Sequence, residues 1–163
     1  MNVLNPVRAV EAHSSFRVAP TFAKLPKVSV VITNFNYGRF VGAAIESVAA
    51  QSYDELECLI VDDCSTDESD TVIADRLRSL NRARFRYIRL SENLGQLAAM
   101  KVGLAASSGL FVTFLDSDDL LLPDFIEQHV SAHLNSSFSA SISASDTFQI
   151  SEDGRLLEGT YIR

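Results

Sequence analysis

The sequence predicts an α/β domain with a mostly parallel sheet, flanking helices and a C-terminal hairpin. Three observations carry that prediction. Short β-branched runs alternate four times with segments that are apolar at helical spacing. Three of those runs end in Asn or Asp turn chemistry. From Phe138 the texture becomes Ser-rich and alternating around Glu152, Asp153 and Gly154, which suits a hairpin.

The elements follow in order. Met1 to Pro26 is aperiodic, carries Pro6, Pro20 and Pro26, and reads as an N-terminal arm; the domain runs from 27 to 163. Val28 to Thr33 is a β-branched run suited to a strand buried on both faces. Val41, Ala44, Ile45 and Val48 recur at helical spacing, in a helix ending near Gln51. Leu56 to Val61 is the second strand. Thr66 or Asp67 can cap the next helix, which carries Val72, Ile73, Leu77 and Leu80 on one face. Phe85 to Leu90 is the third strand, and Gln96 to Ala106 a helix with Leu97, Met100 and Leu104. Leu110 to Leu115 is the fourth strand, and Pro123 opens a helix with Phe125, Ile126, Val130 and Leu134.

Composition excludes several functions. The 163 residues are enough for one domain and 47% are hydrophobic, so a core can form. A net charge of −7 argues against general nucleic-acid binding, which needs a basic face. No apolar run reaches the ~18 residues of a membrane span, and no secretory signal pattern opens the chain. Cys58 and Cys64 lie too far apart along a strand to pair. They read as free thiols of a reducing compartment, the cytoplasm.

Ligands of doubly wound sheets bind at the carboxyl ends of the strands. There the sequence carries Thr33, Asn34 and Asn36, then Asp62, Asp63 and Asp67, then Asp116, Asp118 and Asp119. Right-handed crossovers bring these tips to one edge, so at least five carboxylates are expected on one rim. Such crowding favours a divalent cation, and hard oxygen ligands suit Mg²⁺ or Mn²⁺ with a ligand phosphate completing the shell. Turn and cap roles are the plainer reading for Asp67 and Asp119.

Four segments in order resemble the family 2 glycosyltransferases of the Rossmann-like GT-A fold. They are Val28 to Asn36, Leu59 to Asp67, Glu92 to Gly95, and Phe114 to Asp119 with the following Leu122-Pro123-Asp124. The resemblance covers Lys27 to the C-terminus. It implies a nucleotide-sugar donor, inverting transfer to a saccharide or lipid-linked acceptor, and a place in cell-wall or polysaccharide biosynthesis. It also implies that Thr33, Asn36, Asp63 and Asp116 hold the donor and that Asp118, with Asp116 as a second candidate, binds the metal. Peripheral membrane contact is compatible with such acceptors.

Cys64 stands where the family commonly has Gly, a mild change in a turn. The family's general base comes from beyond this region, so none is assigned and the chain is expected to be the donor-binding part of a longer catalytic domain. A non-catalytic nucleotide-sugar-binding fragment is the alternative. A haloacid-dehalogenase-like phosphatase, with Asp116 as nucleophile, is a weaker one because that motif opens its domain. Lys101 reads as an exposed helix lysine. His129 and His133, four apart on a helix, read as surface histidines, and the arginines from Arg76 to Arg89 as a solvated helix end and sheet edge.

Overall fold

The computed structural model describes residues 24–80, 83–136 and 141–160. The proposed arm therefore lies outside the described residues up to position 23. Four strands, β1 (Val28–Asn34), β2 (Leu56–Asp62), β3 (Phe85–Arg89) and β4 (Phe111–Asp116), form one sheet in the order β3-β2-β1-β4. All three pairings are parallel. The connections are α1 (Gly38–Ala49), α2 (Ser69–Ser79) and α3 (Gln96–Ala106), and α4 (Phe125–Asn135) follows β4. A separate antiparallel hairpin, β5 (Phe148–Ile150) and β6 (Leu156–Thr160), turns through Gly154 at φ +81°. The four βα alternations and the hairpin are those expected from the periodicity.

Strand alternation divides the core between two faces. Val30, Ile32, Cys58 and Ile60 pack with Val41, Ile45 and Val48 of α1, Ile73 of α2, and Ile126 and Val130 of α4. Val31, Leu59 and Val61 turn the other way, onto Ala99, Val102 and Ala106 of α3. Burying β1 and β2 on both faces explains why they read as continuous apolar runs instead of alternating ones.

Helix α3 departs from its expected face. Leu97 and Leu104 are exposed, and the buried positions are Ala99 and Gly103. A Cβ at Gly103 would stand 2.3 Å from Val31 Cγ1, so the helix backbone lies directly on β1. Close approach selects the small-residue stripe, and the larger leucines are left outside.

Helix α2 begins at Ser69, with Glu68 at its N-cap and no side-chain cap. Asp67 instead joins two helix starts. One oxygen accepts the Gly38 N–H at 2.9 Å and the other the Ser69 N–H at 3.0 Å. The arginine run is largely occupied. Arg76 pairs with Glu46 and Arg78 with Asp75, while Arg89 reaches Asp70 and donates to the Ser65 carbonyl. Arg82 lies outside the described residues.

At the amino ends of the strands, Glu57 is a buried carboxylate held by Lys27 Nζ (2.9 Å), Ser29 Oγ (2.7 Å) and the Ser108 N–H (2.6 Å). Burial alone would raise its pKa, but these hydrogen bonds outweigh burial and bring it down to about 2.

Candidate active site

The carboxyl ends of β1, β2 and β4 converge because their register is in step. Thr33 lies opposite Asp116, and Asn34 opposite Asp62. Beside them is a cavity of about 360 Å³ bordered by Thr33, Asn34, Asp63, Gln96, Asp116 and Asp118. Helix α3 begins at Gln96, so its positive end faces this cleft.

Each carboxylate at the rim has a different environment. Asp62 is fully buried and is bound by Asn34 Nδ2 (2.7 Å), Ser65 Oγ (2.5 Å) and the Ser65 N–H (2.9 Å), so it shapes the loop after β2. Asp63 accepts the Leu94 N–H at 2.8 Å and the Gly95 N–H at 2.7 Å, one on each oxygen. It therefore fixes the loop before α3 while still bordering the cavity. Asp116 is half-buried, and its Oδ1 accepts Gln96 Nε2 at 2.6 Å and Thr33 Oγ1 at 3.4 Å. Asp118 is exposed in the turn closed by the Asp119 N–H on the Asp116 carbonyl, at 3.0 Å. Burial, reinforced by Asp118 and Asp116, raises the Asp119 pKa.

The expected rim of five carboxylates is thus not one cluster. Asp62 and Asp67 are consumed by loop and helix-end hydrogen bonds, and among the described residues no three His, Cys, Asp or Glu side chains converge as a metal site. Of the anticipated set, Thr33, Asp63, Asp116 and Asp118 border the cavity together. The Asn36 carboxamide points elsewhere. It accepts the Thr66 N–H at 2.8 Å and so ties the loop after β1 to the loop after β2.

Two features of the site come from the fold and not from the sequence pattern. Asn34 is 2% exposed, and its Oδ1 has no hydrogen-bond donor among the described residues. That oxygen is sealed from solvent, so it is a buried, unpaired acceptor, a costly arrangement. The sequence places Asn34 at the tip of the first strand, but its register opposite Asp62 and its unpaired oxygen belong to the fold. Gln96 is the second, because its contact with Asp116 depends on the depth of α3.

Cys64 adopts φ +62°, a left-handed conformation that a side chain disfavours, so its presence in this turn is more than a mild change. Asn36 is also left-handed, at φ +56°, which Asn tolerates better. Lys101 is exposed, as expected. His129 and His133 are half-buried and not on the open surface.

A parallel α/β sheet with a polar cleft at the carboxyl ends of β1, β2 and β4 is the arrangement of a doubly wound ligand-binding domain. Comparison with known proteins gives the family: the profile of Glycosyl transferase family 2 matches residues 29–158, and the chain belongs to that family. It is 32% identical over 138 residues to the succinoglycan biosynthesis protein ExoO of Rhizobium meliloti, covering 85% of this chain and 38% of that protein. It is 41% identical over 104 residues to an uncharacterized glycosyltransferase of Nostoc sp., covering 64% and 32% of the two chains. Among solved structures, S. aureus TarS (residues 1–349) in complex with UDP superposes with a TM-score of 0.60 at 27% identity, over 66% of this chain and 32% of that one. The chain spans about a third of the length of these relatives. Membership in this family replaces the phosphatase alternative. No described helix is long and apolar enough to cross a membrane.

Proposed function

We propose that this chain supplies the donor-binding part of an inverting, metal-dependent glycosyltransferase that moves a sugar from a nucleoside diphosphate to an acceptor hydroxyl. The observation that carries this reading is the convergence of Asn34, Asp63, Asp116 and Asp118 on one cavity at the strand tips. The TarS structures with UDP and with UDP-GlcNAc support a nucleotide-sugar donor, and the likeness to ExoO supports a polysaccharide product.

In this reading Asn34 shapes the cavity wall by holding Asp62 and Ser65 through its Nδ2, and Asp63 borders the base while keeping the loop before α3 in place. Thr33 and Gln96 orient Asp116 toward the ribose side through its Oδ1. Asn36 acts indirectly, by fixing the loop that carries Phe35 and Tyr37 at the cavity.

The metal fits on donor chemistry. Asp118 accepts no hydrogen bond among the described residues, and Asp116 keeps one oxygen free of protein donors there. Two hard carboxylates with space for water and phosphate oxygens match Mg²⁺ or Mn²⁺, which rarely take a full protein cage. Such an ion supplies charge stabilisation to the departing diphosphate. In the transfer, the acceptor oxygen bonds to the anomeric carbon, the bond to the diphosphate oxygen breaks with its electron pair, and the hydroxyl proton passes to a base.

The free Cys58 and Cys64 are consistent with a cytoplasmic site of action. The test is calorimetry with UDP- and GDP-sugars, with and without Mn²⁺. Mn²⁺-dependent donor binding abolished by Asp118→Ala is expected; an unchanged affinity in that variant refutes the metal assignment. Donor hydrolysis or transfer by the chain separates an enzyme from a binding fragment.

A further inference from the structure

A second site lies at the opposite end of β4. His129 Nδ1 stands 2.6 Å from Ser143 Oγ, and His133 Nε2 stands 3.0 Å from the same oxygen. The two imidazoles thus aim their ring nitrogens at one point from successive turns of α4. Their planes are held by neighbouring rings. His129 packs on Phe125 with centroids 4.3 Å apart, and His133 on Phe111 at 4.9 Å. The site opens into a cavity of about 260 Å³ that these residues border. Phe111 starts β4 and Asp116 ends it, so the strand's rise of ~3.3 Å per residue puts the two sites roughly 16 Å apart.

We propose that His129 and His133 form a binding site for a borderline divalent transition metal, of the Zn²⁺, Ni²⁺ or Cu²⁺ class, with the ion taking the place now filled by the Ser143 hydroxyl. Neutral imidazole is the preferred ligand of this class, whereas Mg²⁺ and Mn²⁺ prefer carboxylate and water. Two histidines four apart on a helix are the pairing such ions use. An ion between the two nitrogens needs Zn–N distances of about 2.0–2.1 Å, and removal of one hydroxyl lets the rings close on it. Among the described residues no third His, Cys or carboxylate joins the pair, so water completes the shell and binding is exchangeable.

The test is titration of Ni²⁺ into the full chain in a non-chelating buffer containing excess Mg²⁺. One site is expected, weakened about tenfold or more by either His129→Gln or His133→Gln and lost in the double variant. Ser143→Ala should bind at least as tightly, because nothing has to be displaced. His13→Gln should leave the affinity unchanged. In the unaltered chain, Ni²⁺ should selectively broaden the Hε1 resonances of His129 and His133, a readout that needs no variant to fold. Equal affinity in the double variant, weakening by His13→Gln, or broadening at other residues overturns the proposal.

Discussion

The Asp63 carboxylate and the Gly95 N–H are joined by a 2.7 Å hydrogen bond across 32 positions of sequence, and the second Asp63 oxygen takes the Leu94 N–H. One acidic side chain at the tip of β2 therefore sets the start of α3. Gly95 itself sits at φ +85°, a conformation open chiefly to glycine. Asp63→Ala should free both amides, raising hydrogen exchange at Leu94 and Gly95, and should weaken donor binding by about tenfold or more. Exchange rates equal to those of the unaltered chain would show that the loop holds itself.

Gly103→Ala should destabilise the fold by about 1–3 kcal/mol, because the added methyl meets Val31 at 2.3 Å and α3 must shift from the sheet. Denaturant unfolding measures the loss. A stability within error of the original would mean that α3 packs less closely than described.

Cys64→Gly should stabilise the chain by about 0.5–1 kcal/mol. Relief of the left-handed strain at φ +62° exceeds the entropy that glycine adds to the unfolded chain. A lower unfolding midpoint in the variant would contradict this.

Glu57 gives a pH dependence of defined sign. Its folded pKa of about 2 lies below the ordinary 4.5, so the native chain binds fewer protons than the unfolded one. The contribution is fully present above about pH 4.5 and is lost as pH falls toward 2; it amounts to at most about 3 kcal/mol before solvent screening. Glu57→Gln should therefore destabilise the chain at pH 7, with the gap to the unaltered chain closing as pH approaches 2. A gap independent of pH would place the effect in packing and not in charge.

Asn34→Ala removes the buried Oδ1 that has no donor, together with the Nδ2 bonds to Asp62 and Ser65. Nucleotide affinity should fall while Mn²⁺ dependence persists, since Asp118 is untouched. Calorimetry with and without the metal separates the two effects.

The sheet and its crossovers were legible because apolar period and turn residues agree along the chain. The order of motifs at the strand tips likewise located Thr33, Asp63, Asp116 and Asp118. What stayed hidden depends on distance in space. The face of α3 was misread because Leu97 and Leu104 outweigh Ala99 and Gly103 in hydrophobicity, whereas backbone approach decided the packing. The separate fates of Asp62, Asp63 and Asp67 depend on partners from other loops. So do the Glu57 clasp and the meeting of His129 with Ser143. None of these leaves a local signature in composition.

The Gly103 contact has a mechanical side. It is the fulcrum on which α3 rests against β1, and Gln96 stands seven residues, about two turns, toward the cleft. Any bulk inserted under the fulcrum would tilt or lift the helix and move Gln96 off the 2.6 Å contact that orients Asp116. A residue that does not border the cleft thereby bears on the aim of one that does.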